Sequence, residues 1–185
     1  MAQPRLLPAA GRVAQPWKNG GGTTSTLAQW PEGAALDAIG WRLSMAEVAV
    51  AGPFSSFPGI ERHLAMLEGA MELRFADHAV RLDPASAAHR FAGDAPVDGL
   101  PLGGVARDLN LMVDPARFAG RLERVAGEVA LHPGPGCQQL LVLTAPCPAT
   151  ACLPALEWGD CLWFGPGAGA PSHAATGWLA TITAR

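Results

Sequence analysis

The sequence predicts an all-β protein, a sandwich or barrel, on three observations. Among its 185 residues are 22 glycines and 17 prolines, which leave little room for long helices. Its apolar residues fall in short runs of strand length, each bounded by Gly, Pro or Asp. A weak internal repeat suggests two related β units.

The runs in chain order are "GWRLSMAEVAVAGP", "RHLAMLEGAMELRF", "HAVRLD", "DLNLMV", "EVALH", "QQLLVLTAP" and "DCLWFG". In the first, alternation turns Trp41, Leu43 and Met45 inward and sends Arg42 to the other face. In "DLNLMV", Asp108 and Asn110 share one face and Leu109 and Leu111 the other; the polar face meets either a pocket or solvent. One segment, residues 114–127, breaks the pattern. Asp114 suits a helix cap with Pro115 at the first position, while Gly120 leaves helix and strand both open. Trp158, Trp163 and Phe164 read as core of the second unit, and Asp94 and Asp160 as turn-fixing side chains.

The repeat relates "HLAMLEGAMEL" (63–73) to "QLLVLTAPCPA" (139–149), each followed by a Gly-Asp step, at Gly93-Asp94 and Gly159-Asp160. The expected organisation is an N-terminal segment plus first barrel over 1–118 and a second, shorter barrel over 119–185. The later stretch is too short to close a barrel alone, so N-terminal strands complete it and the two halves share chain.

Composition excludes several classes. The net charge of −3 gives no basic footprint for nucleic acid. No apolar run approaches the ~20 residues that span a bilayer, and "MAQPRLLPAAGRVAQ" lacks the apolar stretch of a signal peptide. The expectation is a cytoplasmic protein with neither nucleic-acid nor membrane partners. Cys137, Cys147, Cys152 and Cys161 form no CxxC pair and read as buried thiols. "GPFSSF" is no nucleophile elbow, and the lysine of the glycine run precedes the glycines, unlike a P-loop. No catalytic residue is assigned.

"PWKNGGGTT" (16–24) is the least ordinary stretch. A turn needs one or two glycines, so three in a row suggest something close to the backbone. Trp17, Lys18, Asn19, Thr23 and Thr24 surround Gly20, Gly21 and Gly22 with an aromatic face, a cation, an amide and two hydroxyls. Lys18 is the only lysine beside 12 arginines, and its compact ammonium is not interchangeable with a guanidinium. Trp17 either stacks on a ligand or belongs to the core.

"MLEGAMEL" resembles the hairpin that follows the first metal motif of the cupin superfamily. Arg62 then stands near the metal-binding glutamate position, and Ser55, Ser56, Phe57 and Pro58 stand where histidines are expected. "PLGGVARDLN" matches the second motif at Pro101, Gly103 and Asn110 but has Ala106 for its histidine. His63, His78, His89, His132 and His173 are scattered, so no metal and no other cofactor is expected. The ordered set "PWKNGGGTT", "WRLSMAEVAVAGPFSSFPGIERHLAMLEG", "FAGD" and "DLNLM" resembles the HutD/Ves family. The resemblance implies a metal-free bicupin, two RmlC-like jelly-roll barrels, with a role in or around histidine utilisation. Ser25-Thr26 departs from the charged Arg-Glu pair expected after Thr24.

Lys18 and Arg62 are the cations expected to face a pocket, with Asn19, Thr23, Asp108 and Asn110 as polar partners; for the last two, the inward direction rests on the resemblance. Two cations beside glycine N–H groups suit a small carboxylate. Urocanate, formylglutamate or formate fits the implied pathway. A binding or regulatory role is the first reading. The alternative is a metal-independent lyase or isomerase using Lys18 as proton shuttle or Schiff-base amine. Exposed sheet edges would allow a homodimer.

Overall fold

The structure, a computed structural model, describes residues 4–131, 133–150, 153–168 and 172–185. His132, Cys152 and the side chain of His173 lie outside the described residues. Among the described residues there are thirteen strands and no helix: β1 (Arg5–Leu7), β2 (Gln15–Pro16), β3 (Gly22–Trp30), β4 (Trp41–Val48), β5 (Gly52–Pro53), β6 (Glu61–Arg74), β7 (Ala79–Leu82), β8 (His89–Ala92), β9 (Asp98–Val113), β10 (Phe118–Val129), β11 (Cys137–Leu143), β12 (Cys161–Phe164) and β13 (His173–Ala184). They form two compact units, one of Met1–Arg12 with Ala119–Arg185 and one of Val13–Phe118.

The first unit holds a five-stranded sheet in the order β1-β12-β11-β13-β10. The N-terminal strand enters it antiparallel, with Leu6 opposite Leu162. One face of the sheet carries the core: Leu131, Leu141, Leu143, Leu162, Phe164 and Leu179. Phe164 is buried as expected, but Trp158 and Trp163 are only half-buried. Trp163 alternates with the inward Leu162 and Phe164; its indole N–H donates to Gln138 Oε1 at 3.0 Å, and Arg5 lies over its ring. Asp160 fixes its turn, its carboxylate accepting the N–H groups of Ala9 at 2.7 Å and Glu157 at 2.8 Å.

The second unit holds an eight-stranded sheet whose main path is β2-β3-β4-β9-β6-β7, with β5 on β9 and β8 on β6. Its core includes Val48, Leu64, Met66, Met71, Leu73, Leu82 and Phe91. Along β6 the inward residues change from even to odd numbers, because the register shifts between Met66 and Ala70. A bulge at that point keeps both halves of a long strand apolar toward the core.

One open choice is resolved and one expectation is corrected. Residues 114–127 do not form a helix: Asp114 Oδ1 accepts the Ala116 N–H at 3.0 Å, and the Asp114 carbonyl accepts the Arg117 and Phe118 N–H groups. The single turn then gives way to β10, where Phe118 and Leu122 recur at even spacing on the buried side. Asp94 is exposed, and its turn is held by backbone, with the Gly93 N–H donating to the Ile60 carbonyl at 2.7 Å and the Phe57 N–H to the Gly93 carbonyl at 2.8 Å.

Candidate functional site

Residues opposite one another on paired strands share a face of the sheet. Three such rows cross β3, β4, β9 and β6. Thr24, Ala46, Asp108 and Met66 make the first, and Thr26, Ser44, Asn110 and Leu64 the second. In the third, Arg42 and Arg62 flank Met112. Of their polar members, Thr24, Asp108, Ser44, Asn110, Arg42 and Arg62 line a cavity of about 700 Å³ within Val13–Phe118, a volume in the range of small-molecule sites. Segments 15–19 and 53–57 add Trp17, Lys18, Asn19, Phe54, Ser55 and Phe57 to its wall.

Six of the ten residues predicted to bind a ligand line this cavity: Trp17, Lys18, Asn19, Arg62, Asp108 and Asn110. Gly20, Gly21, Gly22 and Thr23 lie outside its lining. The glycines serve the backbone instead. Gly20 has φ 70° and donates its N–H to the Trp17 carbonyl at 3.0 Å, closing a turn. Gly21 donates to Asn19 Oδ1 at 3.0 Å, and its carbonyl receives the Ala49 and Val50 N–H groups. A Cβ on Gly22 would stand 2.3 Å from the Glu47 carbonyl oxygen, so only glycine permits this crossing of β3 and β4. Thr23 sits in the ladder opposite Pro16 and Glu47, and its neighbour Thr24 reaches the cavity.

Trp17 packs beside the core and also borders the cavity. Its ring lines the cavity and packs edge-on against Phe54 at 6.4 Å, while its N–H donates to Thr24 Oγ1 at 2.7 Å. Phe54 reaches this position over Gly99, where any Cβ would meet the Phe54 ring at 2.4 Å.

Arg62 dominates the electrostatics. It is 6% exposed, its guanidinium carbon lies 5.0 Å from the ring centroids of both Phe54 and Phe91, and its Nε has no hydrogen-bond partner. Burial pulls its pKa down to about 10, with Asp108 opposing and Arg42 assisting the shift, so the group is still a cation at neutral pH. Aromatic faces stabilise it without neutralising it. Arg42 is half-buried, and burial lowers its pKa too; its Nε and a terminal nitrogen donate to Thr26 Oγ1 at 3.1 and 2.8 Å. Asp108 is 2% exposed, and burial pushes its pKa up to about 7 despite the pull of Arg62. Asn110 Oδ1 is buried without a partner. Lys18 stands exposed in the lining.

Sequence reasoning missed Ser44, Phe54, Phe57 and Met112 as part of this lining; it named Thr24 beside the glycines and left a pocket role for Arg42 open. Alternation in "WRLSM" puts Arg42 and Ser44 together, but only the pairing of β4 with β9 brings them beside Asn110 and Met112. His63 points away from the cavity side of β6 and hydrogen-bonds Glu61 Oε1 at 2.9 Å, and Glu61 also pairs with Arg90. No group of three potential metal ligands occurs among the described residues. Nor does any helix there have the length and apolarity to cross a membrane.

The sequence model of the HutD family matches residues 9–180. The chain belongs to the HutD family. An uncharacterized 21.2 kDa protein in the hutC 3′ region of Pseudomonas putida is 38% identical over 133 residues, 71% of this chain and 70% of that protein. Protein Ves of Citrobacter koseri is 36% identical over 102 residues; this stretch is 52% of the chain and 50% of Ves. Among solved structures, HutD from Pseudomonas fluorescens SBW25, in a formate condition, superposes with a TM-score of 0.84 at 31% identity, covering 98% of this chain and 99% of that one. The HutD fold seen here is all-β and cupin-like, a bicupin of two units.

Proposed function

We propose that this protein binds a small carboxylic acid in the cavity of residues 13–118 and acts as an accessory or regulatory protein in or around histidine utilisation. One observation carries the binding reading: Arg62 is a buried cation with no ion-pair partner among the described residues, and it lines an open cavity. A buried charge without a partner is costly, and structural arginines are usually paired. A bound carboxylate would supply the missing charge and accept charge-assisted hydrogen bonds from a planar fork suited to that geometry. Arg42, in the same row, adds positive potential, and the exposed Lys18 adds attraction during entry. Phe54, Phe57 and Trp17 provide apolar and aromatic walls. Membership of the HutD family and the hutC-region relative support the pathway assignment.

The ligand candidates are urocanate, formylglutamate and formate. A thermal-unfolding screen of the full chain against these acids, with histidine and glutamate as comparators, tests the reading. A specific acid at about 100 times its dissociation constant adds about 2.7 kcal/mol of stability. The expected result is a saturable rise of the midpoint for at least one acid and none for that acid in Arg62→Met. No rise with any acid, or an equal rise in the variant, contradicts it.

A further inference from the structure

We propose that the cavity takes up its acid together with a proton and that Asp108 holds this proton, so that occupancy depends on pH as well as on the concentration of the acid. The inference rests on the carboxylate reading of the same site and adds a second, ionic ligand to it. Among the described residues, four charged side chains line the cavity: Lys18, Arg42, Arg62 and a single acid, Asp108. The cross-strand neighbours of Asp108, Ala46 and Met66, carry no charge. Arg107 lies on the opposite face of β9, where it pairs with Glu47 and Glu68.

Asp108 is 2% exposed, and no hydrogen bond or ion pair to its side chain occurs among the described residues. Its oxygens are nevertheless not among the side-chain atoms sealed off without a partner, as Arg62 Nε is, and the little surface they keep opens on the cavity. Burial disfavours the charged form of this group, and the influence that opposes burial is Arg62, acting through space. A carboxylate bound to Arg62 cancels that influence and brings a second negative charge into the same enclosed space. Two carboxylates that share a buried site do not both stay ionised, and one of them takes a proton. The bound acid keeps its charge against the guanidinium, so the proton goes to Asp108. It comes from solvent on binding and returns there on release.

The empty site holds its proton only below about 7, where Asp108 titrates. Above that value each acid bound brings a proton with it, and the apparent affinity should fall by up to about tenfold per pH unit. Titration calorimetry of the full chain with N-formylglutamate and with formate, in buffers of differing ionisation enthalpy, counts the protons taken up. Both acids stay ionised over the range needed. Uptake should approach about one proton per acid at about pH 8 and vanish at about pH 5.5, where Asp108 is already protonated. In Asp108→Asn the uptake should disappear and the affinity should no longer fall in this way. Difference infrared spectra of the wild type decide even when the variant does not fold: adding N-formylglutamate at about pH 8 should produce the C=O stretch of a protonated carboxyl, which the acid itself does not give there. Binding with neither proton uptake nor that band overturns the inference and leaves the carboxylate site standing. Uptake that persists in folded Asp108→Asn overturns it as well. Binding of neither acid at either pH overturns the carboxylate reading and this inference with it.

Discussion

The two units of the chain bury polar groups in opposite ways. In the unit containing residues 119–185, the buried acid Asp160 is tied to two backbone N–H groups, and the surrounding core is apolar. In the unit of residues 13–118, Arg62, Asp108, Asn110 and Ser44 are buried on a cavity face. Of these, the Arg62 Nε and Asn110 Oδ1 atoms are closed off from solvent with no partner. The part-buried Gln139 has an unpartnered Oε1 in the other unit, but it stands alone. Most buried polar atoms in folded proteins are satisfied, so a group of unsatisfied ones around one cavity calls for a cause. Asp160 stabilises the fold. Arg62 and Asp108 are buried at a cost to the fold, which the proposed acid would offset at Arg62.

Breaking each kind of buried charge should therefore give opposite results. The largest expected effect is on binding: Arg62→Met should weaken carboxylate affinity by at least about 100-fold, since hydrogen bonds to a buried charge contribute about 1.5–3 kcal/mol each. Its unfolding midpoint should stay level or rise, because an apolar side chain of similar length replaces an uncompensated charge. Calorimetry and thermal unfolding of the same preparation read both quantities. Asp160→Ala should do the reverse. Loss of the acceptor for two N–H groups should cost about 2–4 kcal/mol and lower the midpoint, while acid affinity in the folded protein is unchanged.

A smaller effect separates the two buried acids by pH. Burial raises the folded-state pKa of Asp108 from 3.8 to about 7. Below the unfolded value both states are protonated and the group carries no penalty. As pH climbs toward about 7 the unfolded chain gives up its proton while the folded one retains it, so stability is lost across that window and levels off above it. Asp108→Asn does not titrate. Its midpoint should gain on the wild type as pH rises from about 5 to about 7 and then hold a constant lead. A constant difference across the range would show that Asp108 is not held in a charge-hostile site. The smallest effect belongs to the exposed Lys18: Lys18→Ala should reduce affinity only a few-fold, and most of that loss should vanish in high salt, which screens exposed charges.

Much of this was legible in the sequence because strand alternation needs only local information. The period of two in "DLNLMV" puts Asp108 and Asn110 on one face, and the unusual Lys18 and Arg62 both reach the cavity lining. Partners across strands were not legible. Arg42 and Ser44 enter the site through the register of β4 on β9, which depends on residues more than sixty positions away. The glycine run points to a close approach to the backbone, and at Gly22 the approaching group is the Glu47 carbonyl of the next strand. The turn at Asp114 carries the same side-chain signal as a helix start, and only the alternation beyond Phe118 distinguishes them.

The central claim is that the buried guanidinium of Arg62 awaits a carboxylate. A crystal structure of the full chain grown with saturating urocanate tests it most directly. The account predicts the acid in the cavity of residues 13–118, its carboxylate within hydrogen-bonding distance of Arg62. Density for the acid at any other place, with only water against Arg62, would contradict it.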